Sequence, residues 1–111
     1  MIKLKRYRKM NKTVNVKANL FLGLWSDSCG NGTFGLLGKA SETKAEIIWS
    51  ILRDLTANNY IEPEKLKEYE LALTNYNELV IPEVIEYKIV SIEKGVWCKW
   101  QLKLIFIKAM K

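Results

Sequence analysis

The sequence predicts an α+β domain: a single antiparallel sheet built from two β-hairpins in ββααββ order, with one or two helices packed on one face. Apolar and polar residues alternate near both ends of the chain, whereas the middle shows a 3.6-residue spacing, and charge is divided the same way. Of 111 residues, 49% are hydrophobic and 27% charged, a composition that suits one folded domain over residues 1–111. Residues 1–40 hold eight Lys or Arg against Asp27 alone. Residues 41–86 hold four against ten Asp or Glu, and residues 87–111 hold six against Glu93. The net charge of +6 therefore describes a basic sheet joined to an acidic helical middle.

The elements follow in order. From Thr13 to Trp25, Val14, Val16, Ala18, Leu20, Leu22 and Leu24 share one face, while Asn15, Lys17, Phe21 and Trp25 share the other, the pattern of a long half-buried strand. Asn31-Gly32 supplies a hairpin turn, and Thr33 to Lys39 returns as a second strand. Ser41 or Thr43 can then cap a helix over about 42–57, with Thr43-Lys44-Ala45-Glu46 fitting a capping box. Ala45, Ile48, Trp49, Ile51, Leu52 and Leu55 form its core stripe, and Asn58 and Asn59 end it. Pro63 suits the first turn of a second helix over about 63–74. After Pro82 the chain alternates again through Ile85, Tyr87 and Ile89. A tight connection at Glu93-Lys94-Gly95 leads into a last strand, Val96 to Lys108, with Val96, Cys98, Trp100, Leu102, Leu104 and Phe106 inward.

Composition removes whole classes of chemistry. There is no histidine, so Ser-His and Cys-His nucleophile pairs and histidine-containing metal sites are excluded. Cys29 and Cys98 are the only cysteines, which rules out four-cysteine zinc or iron–sulfur ligation; a single disulfide is possible, but Cys98 on an alternating apolar strand favours two thiols. No cofactor is implied. The basic N-terminus is followed by an apolar run too short for a signal peptide, and no stretch has the length of a membrane span. A cytoplasmic protein without a membrane partner is expected. The excess of Lys over Arg, with abundant Ile and Asn, fits an AT-rich genome such as phages and mobile elements carry.

Three motifs touch phosphate chemistry. Gly30-Asn31-Gly32-Thr33-Phe34-Gly35 matches GxGxxG, but the dinucleotide motif needs a helix starting at its glycines inside a parallel βαβ unit, and here a second strand follows. Gly38-Lys39 lacks both the first glycine and the hydroxyl of the other phosphate loop. Glu86-Tyr87-Lys88, preceded by Glu83, resembles the E-x-K half of the metal-dependent nucleases named for their PD-(D/E)xK motif. That resemblance covers three residues. It implies phosphodiester hydrolysis in which carboxylates hold Mg²⁺ and Lys88 supports the attacking water, with Glu70 or Asp54 recruited as the missing ligand.

The strongest functional indication is a surface. With Val14 to Leu24 and Cys98 to Phe106 facing the helices, Lys17, Phe21, Trp25, Trp97, Lys99 and Lys103 fall on the opposite sheet face, and Lys5, Arg6 and Arg8 extend it with positive charge. Aromatic rings mixed with lysines can stack bases and attract phosphates, or anchor a protein interface. They also suit a second small core. The reading preferred is a small non-enzymatic interaction or inhibitor-type protein that binds and obstructs or modulates a protein partner. Its alternatives are direct binding of DNA or RNA and the metal-dependent nuclease.

Overall fold

A computed structural model describes residues 13–27 and 34–109 of the chain. Its strands are β1 (Thr13–Val16), β2 (Leu20–Asp27), β3 (Phe34–Ser41), β4 (Glu78–Ile81), β5 (Ile85–Ile92) and β6 (Gly95–Cys98). Its helices are α1 (Lys44–Ala57), α2 (Leu66–Tyr76), which follows a 3₁₀ turn at Pro63–Lys65, and α3 (Lys99–Ala109). The class is α+β, but the single sheet in ββααββ order is not found. Among the described residues there are two antiparallel sheets, one of four strands in the order β3-β2-β5-β4 and one pairing β1 with β6, and the helix α3 replaces most of the last predicted strand.

The two sheets share the same two stretches of chain. Thr13 pairs with Cys98 and Val16 with Gly95, and pairing then resumes from Leu20 with Ile92 to Asp27 with Ile85. Between them, residues 17–19 face only residues 93 and 94, so the ribbon bends as at a bulge. Asn19 Oδ1 accepts the Lys94 backbone N–H there at 2.7 Å. The unequal count changes the inward parity on one strand: Val90 and Ile92 point to the second core before the bend, Trp97 after it. Val96, expected inside, is 70% exposed. A one-residue offset inverts every later side chain of a strand.

The two central strands β2 and β5 of the four-stranded sheet carry core on both faces, while on the second face the outer strands leave Leu36 and Val80 exposed. On the first, Leu79, Ile85, Tyr87 and Ile89 meet Ile47, Ile48, Ile51, Leu55 and Leu73 of the helices. Ile51, Leu55 and Leu73 have no exposed surface, and each contributes about 1.5–3 kcal/mol by leaving water. Gly23 lets α1 approach the sheet, since a Cβ there would stand 3.2 Å from Ile47 Cγ2. On the other face a smaller cluster of Val16, Leu22 and Ile92 gathers Val14, Leu20, Val90, Trp97 and Leu102.

The helix ends explain their boundaries. Of the two residues expected to cap α1, Ser41 makes the side-chain bonds. Its hydroxyl donates to Glu46 Oε2 at 2.5 Å and accepts the Thr43 N–H at 3.1 Å, so Thr43 makes no side-chain cap bond. At the other end of α1, Asn59 has φ 57°. Tyr60 N–H bonds the Leu55 carbonyl and Asn59 N–H the Thr56 carbonyl, the paired bonds of a Schellman motif. At α3, Gln101 Oε1 accepts the Cys98 N–H at 2.8 Å, the third-residue half of a capping box. This cap, and the packing of Leu102 on the second core, make a helix of a segment whose alternation equally suits a strand.

Candidate functional site

The predicted binding residues do not share one face. Phe21 and Trp25 pack against the α1–α2 core, whereas Trp97 packs on the second core beyond the sheet, where its Nε1 donates to the Glu93 carbonyl at 2.7 Å. The inversion has a simple cause. Leu20, Leu22, Phe21 and Trp25 are all apolar, and a strand covered on both sides gives no polar face by which to orient it. Lys17 is exposed at the ribbon bend, and Lys99 and Lys103 are exposed one turn apart on α3. Lys5, Arg6 and Arg8, like Cys29 and the Asn31-Gly32 turn, lie outside the described residues. Gly35 sits inside β3, with no helix starting at it.

Glu86 and Lys88 of the nuclease-like triplet pair with each other at 3.5 Å, both half-buried. Tyr87 between them is buried against the helices, and Asp54, on α1, belongs to that same side. Among the described residues, no group of three or more cysteines or acids could hold a metal ion.

The structure instead exposes a face that the sequence placed in the core. Two apolar rows run along α1. Ile47, Ile48, Ile51 and Leu55 are buried, while Ala45, Trp49 and Leu52, at i, i+4 and i+7, form a second row turned toward α2. With Lys44, Ile48, Glu70 and Thr74 they line a groove of about 400 Å³. Trp49 is 61% exposed, and the Arg53 guanidinium lies over its ring, 5.2 Å from the centroid. Lys44 Nζ donates to the Thr74 carbonyl at 2.6 Å, which ties the two helices at one end of the groove and puts a cation near the negative end of α2. Leu71 is also exposed on α2.

A second, smaller cleft of about 220 Å³ opens where the end of α1 meets the sheet. Trp25, Leu37, Asp54, Asn58, Tyr60 and Ile85 line it. Tyr87 OH donates to Asp54 Oδ2 at 2.5 Å, and Asn58 Nδ2 reaches Oδ1 at 3.3 Å. Burial, reinforced by this hydrogen bond and the Asp54 charge, holds the Tyr87 phenol well above its ordinary range. It remains a proton donor.

No protein family, curated sequence or solved structure matches the chain.

Proposed function

We propose that this is a small non-enzymatic interaction protein, cytoplasmic in setting, that docks a protein partner on the α1–α2 face and thereby obstructs or modulates it. The exposed Trp49, with Arg53 stacked on it above an apolar groove, carries this reading. An indole left in water is a standing cost that a partner's apolar side chain entering the groove would relieve. Trp and Arg are also the residue types that dominate binding energy at interfaces. The nucleic-acid alternative has less support, since the sheet separates Phe21 and Trp25 from Trp97.

The test is capture from the native host with the wild-type chain and Trp49→Ala side by side. The reading expects a partner retained by the first and lost by the second at equal thermal stability. Equal retention by both would move docking elsewhere, and no retained protein would sink the proposal. A low-salt titration with single- and double-stranded DNA and RNA serves the alternative, which requires affinity to fall steeply as salt rises.

A further inference from the structure

We propose that the cleft at the end of α1 binds a weakly hydrated organic cation, a guanidinium or a methylated ammonium. This inference does not depend on the α1–α2 docking face. Asp54 and Asn58 leave α1 on the flank opposite Ala45 and Leu52, so the two clefts open on different sides of the helix.

Asp54 is a half-buried carboxylate. Among the described residues no Lys or Arg forms an ion pair with it; Lys65 pairs with Glu62 and Lys88 with Glu86. Its sequence neighbour Arg53 is turned away and stacks on Trp49. The hydrogen bonds from Tyr87 and Asn58 orient the carboxylate but bring no positive charge. Each carboxylate oxygen retains acceptor capacity beyond the one donor it receives.

Three further features favour a cation there. Trp25 and Tyr60 wall the cleft, and aromatic faces attract cations through their ring quadrupoles. The cleft lies at the C-terminal end of α1, the negative end of the helix dipole. Its volume of about 220 Å³ corresponds to about seven waters at ~30 Å³ each, enough for such a head group and part of an alkyl stem. The apolar walls of Leu37 and Ile85 select against a strongly hydrated inorganic ion, which would have to shed its water against hydrocarbon. The Schellman motif fixes the backbone from which the Tyr60 ring projects, and Gly35 leaves room for the Trp25 indole.

The test titrates the full ¹⁵N-labelled chain with tetramethylammonium and with N-acetyl-arginine amide, following the Trp25 indole N–H resonance and the amides of Asn58 and Tyr60. The neutral isosteres tert-butanol and N-acetyl-citrulline amide run in parallel. Saturable shifts are expected at these positions with the cations, about tenfold weaker with the isosteres and in Asp54→Asn, which keeps an acceptor for Tyr87. Tyr60→Leu, on an exposed loop, gives a second variant and should also weaken binding while the fold survives. A capped pentapeptide with a central arginine, binding more tightly than the blocked amino acid, would assign the cation to a protein side chain; equal affinity would assign it to a free small molecule. Shifts of equal size with the neutral isosteres, or none with either cation, overturn the proposal.

Discussion

The indole of Trp25 lies across Gly35 on the neighbouring strand, so close that a Cβ at Gly35 would stand 3.0 Å from it. The glycine is the space in which the ring rests. Gly35→Ala should displace the indole and cost about 1–3 kcal/mol, the usual range for overpacking. Urea denaturation measures the loss, and a changed Trp25 indole resonance separates it from a general weakening of β3.

Tyr87→Phe keeps the ring in the core and removes its hydrogen bond to Asp54. A half-buried carboxylate then loses a donor, which should cost about 1–3 kcal/mol. If chemical denaturation shows no loss, the bond contributes nothing net to stability.

The same pair sets an alkaline limit. The unfolded chain releases the Tyr87 proton near its ordinary value of 10.0, while the folded protein retains it. Above that pH the unfolded state binds fewer protons, so stability that is complete below pH 10 falls as pH rises. For this one group the slope approaches about 1.4 kcal/mol per pH unit. Denaturation curves collected between pH 9 and 11 should show it in the wild type, and Tyr87→Phe should lack that share.

Trp49 and Leu55 belong to the same helix but to different rows. Leu55→Ala opens a cavity at a fully buried position and should cost about 2–5 kcal/mol. Trp49→Ala, at a mostly exposed one, should stay within about 0.5 kcal/mol of wild type. Paired thermal melts check the contrast, and a large loss in Trp49→Ala would mean that the indole supports the fold.

Gln101→Ala removes the side chain that accepts the Cys98 N–H. Loss of a cap costs about 0.5–2 kcal/mol, and here it should appear as faster amide exchange confined to the first turn of α3. Unchanged exchange there would locate the helix start in the packing of Leu102 alone.

Much of this fold was legible where one periodicity stood alone. Ile48, Ile51 and Leu55 mark α1, Asn58 and Asn59 stop it, and Pro63 opens the next helical segment. The misreadings share a cause, an apolar residue on both sides of an element. Phe21 and Trp25 alternate with Leu20, Leu22 and Leu24 in a strand covered on both faces, so spacing could not say which set meets the helices. In the C-terminal stretch Trp100, Leu102 and Leu104 alternate, yet Ile105 and Ile107 are apolar too, and only Gln101, three residues after Cys98, hinted at a helix start. Trp49 is apolar and at helical spacing, but the width of the stripe on α1 exceeds what the sheet covers. The cleft around Asp54 had no local signature, because Trp25, Ile85 and the end of α1 with Asp54 and Tyr60 come from three segments far apart in sequence.

The bent ribbon also governs the order in which the molecule can assemble. Thr13 meets Cys98 and Leu20 meets Ile92, so its central pairing waits for almost the whole chain, whereas the helical hairpin and β4–β5 need only near neighbours. Closing such distant partners loses chain entropy before their contacts compensate it, which places this fold among the slower small domains, at roughly milliseconds to seconds. During synthesis the first strands leave the ribosome long before β5 and β6 exist. Until that closure, Leu20, Leu22 and Leu24 remain without their central partner, and this interval is when the protein is most open to aggregation.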